Sequence, residues 1–363
     1  MIAERETLEQ RSLLPTNFGS SRAVHNDLRE MLDGVKISKS GIPVQKILIP
    51  EPMGFCAGVE MAINTLNEVV KQFPDRNLIG YHGIVHNPYV IGKFEEQGVN
   101  FVDEVSDAPA DSIVVLSPHG TAPQVIEKAK QDGRSVIDTV CPLVTKVHNE
   151  AKRMVEEGRI IIYIGHEGHD EAEGVRGYVP PENFYLVESE EEIDELAKNL
   201  SPELPVAILT QTTLAQGTWQ PIAEAVKKYW PDVWSAPKKD VCYATTNRQE
   251  AVERLVQEQG AEIVLVVTSE QSSNGKALVY KAVEAGVESF LIKTVEDLSE
   301  IKDSLLNKVV GITAGASTPA QQVAEVIAGL SPENGIEFME GVVEEQKFHL
   351  PKELQQLINE QIK

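Results

Sequence analysis

The chain holds three cysteines, and each stands at the opening of the same kind of segment. Cys56 lies in Gly-Phe-Cys-Ala-Gly, Cys141 in Thr-Val-Cys-Pro-Leu and Cys242 in Asp-Val-Cys-Tyr-Ala. Each follows an apolar or strand-like stretch and leads into a helix-like one. Backbone N–H groups and the helix dipole at such a place favour thiolate. An odd number of thiols argues against a disulfide framework and for a reducing compartment. Structural zinc wants four Cys or His ligands, usually in local pairs such as C-x2-C, and the chain has no such pair. Iron–sulfur clusters accept thiolates from distant segments. Three thiolates on a four-iron cluster leave one iron open as a Lewis acid; zinc and a metal-free site are the alternatives.

Polar side chains recur at similar distances after each cysteine. The first set comprises His82-Gly-Ile-Val-His86-Asn87, His166-Glu-Gly-His169-Asp-Glu171 and Ser269-Glu-Gln-Ser272-Ser273-Asn274. The second comprises Ser117-Pro-His119-Gly-Thr121, Thr210-Gln211-Thr212-Thr213 and Thr313-Ala-Gly-Ala-Ser317-Thr318. His86, His119, His166 and His169, with Ser272, Ser273, Asn274 and Ser317, make a donor-rich ring that suits a phosphate or diphosphate. Serine and asparagine also serve as plain helix caps, and the two uses are compatible at a helix N-terminus. Glu171 closes a His-Glu-Gly-His-Asp-Glu run that is not H-E-x-x-H, so a proton donor is a better reading than a metal ligand. Thr212 suits a proton relay or the anchoring of a water.

These groups need elements to carry them. Helices are expected over Val59–Lys71, Leu143–Glu157 and Asn247–Gln259, each just after a cysteine. A strand follows each helix, at Asn77–Tyr81, Ile160–Ile164 and Ile263–Val267, and ends in the first polar tip. Another comes later, at Ile113–Leu116, Val206–Leu209 and Val309–Ile312, and ends in the second. Strands alternating with helices imply parallel sheets, whose ligands sit beyond the carboxyl ends of the strands. The expected fold is therefore α/β: three pseudo-threefold related domains with parallel sheets around a central iron–sulfur cluster. The expected boundaries are an N-terminal extension over 1–45, domains over 46–138, 139–238 and 239–335, and a tail over 336–363. Within the extension, Val24, Leu28, Met31, Leu32 and Val35 have helical spacing and predict one helix docked on the body, with residues 1–20 mobile.

The whole-chain properties narrow the function. The 363 residues are 42% hydrophobic, and the longest apolar runs are far too short to span a bilayer. A formal charge of −23 disfavours nucleic acid and anionic membranes as partners. No long apolar core opens the chain, and its first 45 residues are too acidic for a transit peptide, so a cytoplasmic location is expected. The chain contains no G-x-x-x-x-G-K-[ST] loop and no convincing G-x-G-x-x-G fingerprint after a strand. Electrons for any redox reaction then come from a separate protein or a diffusible donor.

A group of motifs resembles one family. They are Gly54-Phe-Cys-Ala-Gly-Val, Ile84-Val-His-Asn, His119-Gly, Cys141-Pro-Leu-Val-Thr-Lys-Val-His and Gly165-His-x-Gly-His-x-Glu, with Thr210-Gln-Thr-Thr-Leu, Cys242-Tyr-Ala-Thr-Thr-Asn-Arg-Gln, Ser272-Ser-Asn and Thr313-Ala-Gly-Ala-Ser. The family is 4-hydroxy-3-methylbut-2-enyl diphosphate reductase, also called IspH or LytB, and the likeness covers about residues 46–350. The resemblance implies one 4Fe–4S cluster per chain, with Cys56, Cys141 and Cys242 as ligands and one open iron that takes the allylic hydroxyl of the substrate. It further implies that His86, His119, Ser272, Ser273, Asn274 and Ser317 bind the diphosphate. His169 is a substrate contact, Glu171 the proton donor and Thr212 an active-site threonine. The implied reaction is reductive dehydroxylation to isopentenyl and dimethylallyl diphosphate, the last step of the non-mevalonate isoprenoid route, with ferredoxin or flavodoxin as donor. The chain departs from the family pattern at Met53 and Met61, where Arg is expected, at Asp170, where Pro is usual, and at Gly275, where Ser is common. The rival readings are another three-cysteine 4Fe–4S hydro-lyase or a quinolinate-synthase-like enzyme, which handle carboxylates and would want Arg near the tips, and a cluster-based redox sensor.

Overall fold

A computed structural model describes residues 21–33, 40–235 and 240–361. The expectation for residues 1–20 lies outside them, as does Val35.

The apolar runs form three larger sheets, beside a two-stranded one of Ile42–Val44 and Leu330–Pro332, and every neighbouring pair of strands is parallel. In the first the order is Val99–Val102, Leu78–Tyr81, Ile113–Val115, Ser135–Ile137. In the second it is Phe184–Val187, Ile160–Ile164, Val206–Thr210, Trp234–Ser235. Numbered from the strand after each cysteine, both read second, first, third, fourth. The third sheet follows the same rule with Glu288–Ile292, Ile263–Val267 and Val309–Ala314. Its fourth place is taken by Lys46–Ile49, from the far end of the chain, with Ile336–Phe338 outside it. The beginning of the chain thus completes the last repeat and closes the ring. We propose the domain boundaries 46–138, 139–238 and 239–335 on this pattern, with Lys46–Ile49 as the strand exchanged into the third sheet.

Each cysteine follows a fourth strand and caps a helix: Cys56 before Ala57–Gln72, Cys141 before Pro142–Glu156 and Cys242 before Tyr243–Gln257. The helices form because their apolar residues recur at helical spacing; Val59, Ala62, Ile63, Leu66 and Val69 all face the core. The parallel strands are covered on both faces, so they are near-continuous Val/Ile/Leu runs, such as Ile263–Val267, buried at every position. One large core joins the first and third sheets through Ala57–Gln72. Separate clusters cover the two faces of the second.

The expected N-terminal helix is present as Ser21–Leu32, with Val24 and Leu28 buried against the body. Its role is local to the first cysteine. Gly54 has φ +68, and a Cβ there would lie 2.5 Å from Val24 Cγ1 and 2.9 Å from the Thr318 carbonyl oxygen. Only glycine fits the turn that delivers Phe55 and Cys56. Among the described residues no helix is long and apolar enough to cross a membrane.

Candidate functional site

Because the sheets are parallel and share one topology, their carboxyl ends face a common centre. A pocket there is lined by Cys56, Cys141 and Cys242, by His86, His119 and His169, by Glu171 and Thr212, and by Ser272, Ser273, Asn274 and Ser317. His166 does not join them; it is half exposed and its Nδ1 lies 3.1 Å from the Glu188 carboxylate.

One hydrogen bond repeats three times and sets the cysteines. The backbone N–H of Cys56 donates to Ala316 O at 3.2 Å, that of Cys141 to Pro118 O at 3.0 Å and that of Cys242 to Thr212 O at 3.0 Å. Each acceptor is in the tip after a third strand, so each strand end hands its neighbour's cysteine to the pocket. Gly58 allows the closest approach: a Cβ on it would sit 2.9 Å from Cys141 Sγ.

Helix N-termini favour thiolate, as expected from the sequence, but here they lose to the surroundings. Burial pushes the Cys141 thiol up to about 12, with the charges of Cys56 and Cys242 adding to the rise. Burial likewise pushes Cys242 up to about 11, against the hydrogen bonds from Thr245, whose N–H and hydroxyl lie 3.3 and 3.1 Å from Sγ. Cys56 is raised for the same first reason. Three sulfurs that repel one another's charge in a buried place call for a shared cation. The donor set fits an iron–sulfur centre: three cysteine thiols, each from a distant segment of the chain, line one pocket.

The acid is held on one side of the thiols. Helix Asp170–Arg176 begins there, with His169 as its cap. The Glu171 carboxylate is 1% exposed and accepts the Thr212 N–H at 2.6 Å and the Thr212 hydroxyl at 3.1 Å. Burial raises its pKa to about 7, Asp240 adds to the rise, and the two Thr212 donors oppose it. A carboxyl that is about half protonated near neutrality is matched to proton transfer.

The tautomer of His169 follows from its cap. Its Nδ1 accepts the Glu171 N–H at 3.2 Å, so the proton is on Nε2, which is buried and has no protein partner. His86 and His119 stack face to face with centroids 4.0 Å apart; His86 Nε2 and His119 Nδ1 are also buried without a hydrogen-bond partner, His119 Nδ1 lying 3.7 Å from Asp170 Oδ2. Burial, then the charges of His119 and His169, lower His86 to about 2; burial lowers His169 to about 3. The imidazoles of His86 and His169 are therefore neutral among these neighbours, and an anion beside them would oppose that shift.

Another part of the lining is a helix N-terminus. Ser272 caps Ser273–Glu284, its hydroxyl accepting the Gly275 N–H at 3.1 Å. Ser273 Oγ accepts from Gln211 Nε2 at 3.1 Å and from the Thr213 hydroxyl at 2.9 Å. Asn274 Oδ1 accepts the Ala316 N–H at 2.9 Å, which locks it to the Ser317 tip. Gly275 has a packing reason, since a Cβ there would be 2.2 Å from Thr268 Oγ1. Met53 and Met61 are both buried, Met53 within the large core.

Two residues at or beside the site have contacts that the sequence does not show. Phe348 reaches the pocket from the C-terminal segment. Arg248, fully buried, donates to Gly54 O and Phe55 O at 3.0 Å each and pairs with Glu344 at 3.0 Å. It holds the loop before Cys56 and does not line the pocket. Among the described residues no Lys or Arg lines it.

Fold and site together define a three-lobed α/β enzyme with a thiol-lined centre and anion donors around it. The comparisons with known proteins agree. The chain belongs to the LytB protein family, whose pattern matches residues 47–331. It is 40% identical over 316 residues to the 4-hydroxy-3-methylbut-2-enyl diphosphate reductase of Methylococcus capsulatus, covering 86% of this chain and 99% of that one. It is also 40% identical over 321 residues to the enzyme of that name from Escherichia coli O1:K1, covering 87% and 99%. Among solved structures it resembles the E-1-hydroxy-2-methyl-but-2-enyl-4-diphosphate reductase of Plasmodium falciparum, with TM-score 0.81, 34% identity and 88% of this chain covered against 100% of that one.

Proposed function

We propose that the chain reduces 4-hydroxy-3-methylbut-2-enyl diphosphate to isopentenyl and dimethylallyl diphosphate, the terminal step of the non-mevalonate isoprenoid route. The reaction consumes two electrons and two protons and releases one water. The observation that carries this reading is the buried Glu171–Thr212 pair, set in one pocket with three thiols and a ring of anion donors.

Cys56, Cys141 and Cys242 would hold a 4Fe–4S cluster. When bound, such a cluster supplies electrons one at a time and an open iron for an oxygen ligand. The chain's own groups do the rest. The N–H groups at the start of Ser273–Glu284, with Ser272, Ser273, Asn274 and Ser317, receive the diphosphate at a helix N-terminus. His86 faces it with a buried Nε2 that has no protein partner, and the His119 ring stacks on His86. His169, with its proton on Nε2, donates to substrate oxygen. Glu171 delivers a proton to the departing hydroxyl, and Thr212 holds the resulting carboxylate with both of its donors. Phe348 and Leu143 add apolar surface to the same lining.

The electron donor fits the ferredoxin or flavodoxin class, because the chain has no nucleotide loop of its own. A cytoplasmic site of action accords with three unpaired thiols. The carboxylate-handling alternatives are disfavoured by the absence of Lys and Arg from the described lining.

The test is an anaerobic assay of iron-replete protein with the hydroxylated diphosphate and reduced methyl viologen, with products identified by mass. The two isomeric diphosphates are expected. Iron-replete protein that leaves the substrate unchanged refutes the reading.

A further inference from the structure

The helix N-terminus of the third lobe is braced by a glutamine from the second. Gln211 follows strand Val206–Thr210, and its side chain is fully buried. Its backbone N–H donates to Ile164 O at 2.8 Å, which fixes its place at the strand end. Gly165 leaves room for the side chain: a Cβ there would lie 2.5 Å from the Tyr163 ring and 3.3 Å from Gln211 Oε1. The surroundings also set which way the amide faces. Its Oε1 accepts the backbone N–H of His166 at 3.0 Å, so the NH2 group is the end that meets Thr213 and Ser273. That group donates to Thr213 Oγ1 at 2.9 Å and to Ser273 Oγ at 3.1 Å, and the two hydroxyls are themselves 2.9 Å apart. These bonds leave one proton over. The amide brings two protons and each hydroxyl one. The amide protons go one to each hydroxyl, and the bond between the hydroxyls uses one more. The remaining hydroxyl proton has no protein acceptor among the described residues, and both hydroxyls belong to residues that line the pocket.

We propose that Gln211 and Thr213 are positioning residues that commit the Ser273 hydroxyl to donating, so that the diphosphate meets a donor with no acceptor role left. The idea rests on the diphosphate reading of the pocket. It addresses a problem that reading leaves open: the described lining has no Lys or Arg, and the whole chain carries −23. Affinity for an anion then depends on neutral groups held in the donating sense. Gln211 sets that sense, because an amide NH2 can only donate. With Thr213 donating to Ser273, the Ser273 oxygen accepts twice and its own proton is the one left over. An anion at the start of helix Ser273–Glu284 favours this polarity over the reverse, since it attracts the Ser273 proton. Successive hydrogen bonds in such a chain strengthen one another. The neighbouring oxygens are occupied in the same way: Ser272 Oγ accepts the Gly275 N–H and Asn274 Oδ1 the Ala316 N–H. A wall built like this suits a group that only accepts, such as a diphosphate, and gives an alcohol in its place nothing to donate to.

The test is a double-mutant cycle on the holoenzyme: wild type, Ser273→Ala, Thr213→Val and the double variant. Affinity for inorganic diphosphate is measured by calorimetry, and KM and kcat for the hydroxylated diphosphate with reduced methyl viologen. Ser273→Ala is expected to lose about tenfold in affinity and in 1/KM, the low end for a hydrogen bond to a charged group. Thr213→Val keeps the shape but breaks the chain, and a loss of about fivefold is expected. Thr213→Ser restores the hydroxyl and should bind within about twofold of wild type. The double variant should bind within about twofold of Ser273→Ala alone, because Thr213 then has no hydroxyl to polarise. Iron content stays at the wild-type level, and kcat at saturating substrate changes by less than about threefold. Losses that multiply in the double variant overturn the proposal, as does Thr213→Val protein that binds like wild type, or a loss confined to kcat. Should Thr213→Val protein fail to hold iron, the same cycle run with Gln211→Met in its place decides by the same outcomes. Wild-type holoenzyme that does not bind inorganic diphosphate at all refutes the diphosphate reading itself, and this proposal with it.

Discussion

Thr212 joins the proposed acid to one of the three thiols. Its N–H and hydroxyl both end on the Glu171 carboxylate, at 2.6 and 3.1 Å, while its carbonyl oxygen accepts the N–H of Cys242 at 3.0 Å. A strand end that positions a cysteine in all three repeats has, in this one, also become the seat of the acid.

This arrangement fixes the direction of a pH effect. Thr212 donates to the charged form of Glu171, and such donors lower a carboxyl pKa. Replacing the hydroxyl, as in Thr212→Val, removes one of them at nearly constant shape. The Glu171 pKa should then rise above about 7. Its acid form persists to higher pH, so the alkaline limb of the kcat profile moves upward, by about one unit. A limb that stays in place would separate Thr212 from the acid.

Glu171→Gln keeps the shape and one donor group but cannot release a proton at this pH. Turnover with a chemical reductant is expected to fall by about 10² to 10⁴. Iron content and visible colour should stay at the wild-type level, since Glu171 is not among the thiols. Near-normal turnover in this variant would remove Glu171 from its role.

The equivalence of the three cysteines is itself testable. Each caps a helix, and each makes the same hydrogen bond to a neighbouring strand end. Anaerobically purified wild type should be brown, with about four irons per chain. Single Cys→Ala changes at positions 56, 141 and 242 should lose iron to a similar extent. Full iron retention by any one of them would show that the thiols do not act as a set.

Arg248 offers a stability measurement away from the chemistry. It satisfies two carbonyls in the Gly54–Phe55 turn and the buried Glu344 of the C-terminal segment. Arg248→Met leaves that carboxylate buried without its cation, at a cost of about 3–5 kcal/mol. Denaturant unfolding should show this loss, and adding Glu344→Leu should recover part of it. No recovery in the double variant would mean that the lost carbonyl contacts, rather than the orphaned charge, set the penalty.

Much of the site is legible in the sequence because its signals are local. A cysteine or serine before a helical run is read from a few adjacent residues, since capping depends on the first turn alone. Strand tips are legible for a related reason: apolar runs of strand length end where polar residues begin. Cys56, His119, Ser272 and Ser317 are found this way. The same logic puts His166 in the ring, yet it lies outside, because a tip signal does not say which way a side chain turns. The thiols show the limit more sharply. Their helix N-termini are visible in the sequence, but burial and the two neighbouring sulfurs, which outweigh the dipole, are not.

The sequence by itself determined the α/β class, the threefold repeat, the residue types at the centre and, through its motifs, the family. Tertiary structure decided what depends on segments far apart in the chain. It placed Lys46–Ile49 in the third sheet, set Arg248 against Glu344 and brought Asp170 to His82, 88 residues away. It also raised the Glu171 carboxyl to about 7. The physical reason is common to all of these. Hydrogen-bond geometry within a helix turn is a property of adjacent residues. Desolvation and Coulomb interaction are properties of whatever the completed fold brings near, and a linear reading does not contain that information.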